Sequence, residues 1–113
     1  MKQYRLGEFE EVVLLTVAVL HPDAYGGSIK KEIEDKLQRK VSVGALQTAL
    51  RRLENKDYLS SRKGEATPSR AGRPKLMFTI TALGQRALEH TRDTRNQLWN
   101  SIPRSALFPK PSI

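Results

Sequence analysis

The sequence predicts a mainly α-helical chain with one small β-hairpin and a long helix near its C-terminal end. Three observations predict it. Between Ser42 and Tyr58, the residues Leu46, Ala49, Leu50 and Leu53 recur at i, i+3, i+4 and i+7, the stripe of an amphipathic helix. Between Lys75 and Ile80 the apolar residues alternate, with Leu76, Phe78 and Ile80 on one side and Met77 and Thr79 on the other, as in a strand. After Thr81 a helical segment runs to Pro103 without a break.

Composition narrows the possible functions. At 113 residues the chain is expected to form one domain, long enough to bury a core without metal or disulfide. The absence of cysteine excludes disulfides, thiolate metal sites and thiol nucleophiles. Lysine and arginine outnumber aspartate and glutamate by 20 to 12, which favours a polyanionic partner: nucleic acid or an anionic membrane surface. The N-terminal segment turns acidic before any apolar run, so no secretory signal is expected. The apolar run Val12–Leu20 is far too short to span a bilayer, so membrane insertion is not expected and the predicted compartment is the cytoplasm.

The first helix is predicted over Leu6 to Leu20, with Glu8, Glu10 and Glu11 in its opening turns, where the helix dipole favours carboxylates. Val12 to Leu20 is apolar at almost every position, and a helix apolar all round is buried all round. A domain of this size cannot cover such a helix by itself, so a partner subunit is expected. His21-Pro22-Asp23 ends the helix and Tyr25-Gly26-Gly27 reads as a turn. The second helix is predicted over Ser28 to Arg39, capped by Ser28, with Ile29, Ile33 and Leu37 as its buried stripe.

After the short link Lys40-Val41 comes the third helix, with Ser42 as its cap. Its outer face carries Gly44, Gln47, Thr48, Arg51 and Arg52. Glutamine and arginine can make paired hydrogen bonds to base edges in a major groove. This order of elements is that of a helix-turn-helix unit. Strands predicted over Tyr58–Arg62 and Lys75–Ile80 flank a segment too long for a tight turn. Arg62, Lys63, Arg70, Arg73 and Lys75 surround it against the single acid Glu65, a charge pattern suited to a phosphate backbone. Three helices followed by a basic hairpin make a winged helix-turn-helix, predicted over residues 1–80.

Thr81 is placed to cap the last helix, a rod of roughly 30 Å. It is apolar at both ends and polar from Thr91 to Gln97. Such a rod cannot pack along its full length on its own domain, and the first helix also lacks a cover. A twofold dimer solves both problems. Residues 81–103 are therefore expected to dimerise the protein, with Leu98, Trp99 and Ile102 meeting Phe9, Val13 and Val17 of the first helix. Residues 104–113 are expected to be a loose tail. Polar residues facing a helix seam are costly unless paired or wet, so a hydrated gap is expected there. Thr91, Arg95 and Trp99 would line it and could hold a small aromatic effector.

The chain resembles the PadR-type transcriptional regulators, in particular the short branch with a single C-terminal helix. The motifs that carry the likeness are Leu6-Gly7-Glu8-Phe9-Glu10 with its apolar run, Ala24-Tyr25-Gly26, Gly44-Ala45-Leu46 with Ala49-Leu50 and Arg52-Leu53-Glu54, Gly72-Arg73-Pro74, and Thr81-Ala82-Leu83-Gly84. The resemblance implies a dimeric winged-helix repressor that binds a pseudo-palindromic double-stranded DNA operator and, as is often so in the family, is released by a small molecule. Two positions depart from the pattern. Many relatives carry a Tyr-Pro pair where this chain has Gln47-Thr48. Arg95 stands near the place of a ligand-stacking tryptophan, and Trp99 follows one turn later.

A DNA-binding regulator is the reading these features favour. A winged-helix module docking on protein or RNA is the alternative, since fold does not fix function. An enzyme lacks support: the sequence has no nucleophile–base pairing, glycine-rich phosphate loop or metal-ligand spacing, and no cofactor is expected.

Overall fold

The computed structural model describes residues 4–66 and 74–107. It contains α1 (Glu8–Leu20), α2 (Gly26–Leu37), α3 (Val43–Asn55), β1 (Leu59–Ala66), β2 (Pro74–Ile80) and α4 (Ala82–Ser101). The strands pair antiparallel, from Leu59 opposite Ile80 outward to Ala66 opposite Pro74, with the register shifting between Lys63 and Ala66. This is a winged helix-turn-helix carrying a long C-terminal helix.

The helix boundaries follow from their caps. Ser42 Oγ accepts from the Ala45 amide at 3.1 Å and starts α3 as expected. Thr81 Oγ1 likewise accepts from Gly84 at 2.9 Å and starts α4. The start of α2 differs from the sequence expectation. The helix begins at Gly26, and Ser28, expected as the cap, lies inside the first turn. Its hydroxyl reaches back to accept from the Tyr25 amide at 3.0 Å, so the two glycines are helical and not a turn. Helix α2 also ends early, at Leu37, because Gln38 takes a left-handed conformation.

Helix α3 closes in a Schellman motif. Asp57 is left-handed, its amide donates to Glu54 O, and the Tyr58 amide donates to Leu53 O at 2.9 Å. That turn redirects the chain into β1. A third strand position, not foreseen from the sequence, joins the hairpin to the helices. Tyr25 bridges Met77, and the Phe78 amide donates to Ala24 O at 2.8 Å. The base of the wing is thereby fixed to the start of α2.

The core is formed by α1, α2, α3 and the base of the hairpin, with Leu14, Ile29, Ile33, Leu46, Leu50 and Leu53 fully enclosed. Val13 and Val17 belong to it, at 0% and 1% exposure. The expectation that they face a partner subunit is corrected here: in an all-apolar helix they are the side turned inward. The outer side of α1 consists of Leu15, Ala18 and Val19. Phe9 is half-buried near the start of α1, with the Arg39 guanidinium 5.4 Å above its ring.

Glu10 joins the first helix to the end of the third. Its Oε1 accepts from the Gly7 amide and from Lys56 Nζ, both at 2.8 Å, and Lys56 also donates to Arg5 O. Burial alone would raise this carboxyl, but Lys56, the Gly7 amide and the charge of Arg52 outweigh it and hold it below 4.5. A depressed carboxyl stabilises the fold above its unfolded value, and this contribution disappears as pH falls through the folded value. Glu10→Gln should therefore flatten the acid side of the stability profile. Thermal melts between about pH 6 and pH 3 should show the wild type losing more stability than the variant; parallel profiles would contradict this.

Helix α4 packs on the core through Leu83, Ala87 and Leu88 and then leaves the domain. Every residue from 92 to 101 is exposed. The radius of gyration is 17.5 Å, against about 13 Å for a compact domain of this length. After α4 the described residues end with a short 3-10 turn, Arg104–Ala106; the rest of the expected tail lies outside the described residues.

Candidate nucleic-acid interface

Helix α3 is held from behind by Leu46, Ala49, Leu50 and Leu53, all buried. This fixes which side faces out. Gly44, Gln47, Arg51 and Arg52 are exposed and Thr48 is half-buried, so the five predicted residues share one face. No carboxylate lies on that face; Glu54 is turned away and accepts from Ser61 Oγ at 2.7 Å. Among the described residues neither guanidinium forms a salt bridge; the acid beside Arg52 is Glu10, at the foot of the second cleft, which pairs with Lys56.

Two clefts flank this helix. One, about 290 Å³, lies between α3, the start of α2 and β2, and is lined by Tyr25, Val43, Gln47, Lys75 and Leu76 among others. The other, about 400 Å³, lies between α3 and the start of α1, with Thr48 and Arg52 on one wall and Gly7 and Phe9 on the other. A projecting helix with a depression on each side has the relief of a ridge fitted to a groove between two phosphate strands.

The wing continues the positive surface. Arg62 and Lys63 are exposed on β1. Lys75 lies half-buried on β2, its Nζ 4.1 Å from the centre of the Tyr25 ring, a cation–π contact. This contact places its charge at the rim of the first cleft. Arg70 and Arg73, the other two wing residues expected on phosphates, lie outside the described residues. Sequence reasoning missed Tyr25, Val43 and Leu76. The signal for Tyr25 was present in the Ala24-Tyr25-Gly26 motif, but one bridging residue has no alternation to reveal it as part of a sheet.

The residues expected around an effector are divided. Thr91 is half-buried and its hydroxyl donates to Ala87 O at 2.9 Å. Arg95 pairs with Glu11 of α1 at 3.0 Å, so its guanidinium braces α4 against its own domain. Trp99 and Leu98 project from the free part of α4 at 64% and 66% exposure. Ile102 is half-buried at the end of the helix. The exposed His90 ring lies against Tyr4, ring centres 5.3 Å apart and planes tilted by 41°.

Among the described residues no group of histidines and acids could hold a metal ion, and no helix is long and apolar enough to cross a membrane.

The fold is shared with known proteins. A PadR-like transcription factor from Bacteroides fragilis superposes with a TM-score of 0.70 at 25% identity, covering 82% of this chain and 84% of that one. A PadR family regulator from Eggerthella lenta shares the fold with a TM-score of 0.65 at 23% identity, covering 82% and 80%. A PadR family regulator from Clostridium difficile does so with a TM-score of 0.62 at 20% identity, covering 80% and 91%. No curated protein matches the sequence. The family model for PadR-like transcriptional regulators matches residues 14–90, which hold α2, α3, the hairpin and most of α1. The chain belongs to the PadR-like family of transcriptional regulators.

Proposed function

We propose that the protein is a dimeric repressor that binds a twofold-symmetric DNA operator through α3 and the wing. The observation that carries this reading is the outer face of α3, where Gln47, Arg51 and Arg52 are exposed together with no acid among them. Gln47, Thr48 and Arg51 face base edges, with Gly44 in the first turn. Arg52, Arg62, Lys63, Arg70, Arg73 and Lys75 face phosphates. Residues 1–80 form the reading head and 81–103 the dimerising arm.

The dimer is supported by two unpartnered apolar surfaces on one chain. One is the free part of α4, with Leu98 and Trp99 exposed and Ile102 half-buried. The other is a groove of about 250 Å³ between α1 and α2, lined by Val12, Leu15, Val19, Ile33 and Leu37. The first helix thus contributes its outer side to the dimer, not Val13 and Val17. Release by a small aromatic molecule is the part of the reading that rests on Trp99, which is free to stack, beside Thr91 and Arg95 on the same helix. The site is cytoplasmic, where the DNA is.

Binding across a salt series tests the assignment. Arg73→Ala should weaken selected and random duplexes alike and flatten the log–log salt slope by about one unit. Gln47→Ala should leave the slope in place, cost about 1–3 kcal/mol on the selected duplex and relax preference at one base pair. An unchanged slope for Arg73→Ala would remove the wing from the phosphate contacts.

A further inference from the structure

The first turn of α3 has two features that the packing of this chain does not explain. Gly44 is its second residue, and glycine is the poorest helix former after proline. A glycine is expected in a helix where a side chain would collide. A Cβ built on Gly44 meets nothing within 4 Å. The space that its missing side chain leaves open is outside the molecule.

Beside it, Val43 is 62% exposed at the first position of the helix. A β-branched residue gains no helix propensity there and buries little surface. It lines the cleft toward the wing, where Leu76 supplies a second exposed apolar wall. Val43 and Gln47 are four residues apart and so stand one turn above the other. An apolar tip, a missing side chain and an amide thus share the end of the helix that enters the groove first.

We propose that the first turn of α3 seats at close range on the base pairs, with Gly44 permitting the approach and Val43 contacting the C5-methyl group of a thymine. The inference rests on the DNA-reading role of α3 given above. The occupant is duplex DNA because the surrounding surface is cationic, with Arg51 and Arg52 on the same helix and Lys75 across the cleft. On base edges in the major groove, the thymine methyl is the apolar group, and an aliphatic side chain recognises it by excluding water. Gln47 then reads hydrogen-bonding groups one turn further along, and Val43 adds a contact that needs none.

The test uses the full-length protein and a duplex that it selects from a random pool. Each thymine is replaced in turn by deoxyuridine, which removes the methyl group alone. The wild type should lose about fourfold in affinity at one position of each half-site, the worth of one buried methyl. Val43→Ala should bind the thymine and uridine forms of that position equally. Gly44→Ala should keep or raise the melting temperature and lose binding to selected and random duplexes alike. Tolerance of uridine everywhere, the same uridine penalty in Val43→Ala as in the wild type, or wild-type binding by Gly44→Ala would each overturn the inference while leaving the regulator reading intact. A pool that yields no preferred duplex would overturn both.

Discussion

A chain ending at Thr91 is expected to lose operator binding by a factor on the order of 10³, because two linked half-site contacts become one. The structure makes this a sharp expectation. Residues 92–101 are exposed throughout, and the one described bond they make to the rest of the domain is the Arg95–Glu11 pair. Arg95 is exposed and Glu11 half-buried, so the pair contributes about 1 kcal/mol. In a monomer the deletion would therefore be almost harmless to stability. In a dimer it removes Leu98 and Trp99 from the interface and uncovers Leu15 and Val19 of the partner. Light scattering of the whole chain should report a dimer, with half-sites in its operator about 34–36 Å apart. The truncated chain should be monomeric and melt at a clearly lower temperature. Leu98→Glu in the whole chain should weaken the dimer in the same direction. A truncated chain that stays folded, monomeric and fully competent to bind would defeat the dimer.

Gly84→Ala is expected to destabilise the domain by about 3 kcal/mol, at the upper end of what overpacking costs. A Cβ at this position would overlap the Tyr58 carbonyl oxygen and stand 3.0 Å from Ile80 Cγ1. Neither neighbour can yield cheaply. The Tyr58 carbonyl accepts from the Thr81 amide at 3.1 Å and lies directly after the Schellman turn that ends α3. The first turn of α4 is thus laid against backbone, and only a residue without a side chain allows it. Thermal unfolding should shift down by roughly 12 °C or more. The comparison with Gly44→Ala is informative, since the same chemical change there meets open space. Equal melting temperatures for Gly84→Ala and the wild type would contradict the packing of α4 on the hairpin.

Much of this arrangement was legible in the sequence. Leu46, Ala49, Leu50 and Leu53 define the inner side of α3 unambiguously, and the outer face follows by geometry. Ser42 and Thr81 announce their helices because a side-chain oxygen before an amphipathic run has one obvious partner. The errors fall where periodicity carries no information. In Val12–Leu20 nearly every position is apolar, so the pattern cannot say which side is core. Val13 and Val17, expected at a partner subunit, turn into the core. Glycine is a poor helix former, so Gly26-Gly27 reads as a turn in sequence, but the Ser28 hydroxyl closes the first turn of α2 around both residues. The Arg95–Glu11 pair joins positions far apart in the chain, and no local pattern foretells it.

If the outer face of α3 reads a DNA sequence, the ratio of two affinities measures it. At one salt concentration, the full-length protein should bind its selected duplex on the order of 10³-fold or more tightly than a random duplex of equal length. The selected sequence should show two related half-sites. Equal affinity for the two duplexes would contradict such a reading, because a positive surface alone attracts DNA without regard to sequence.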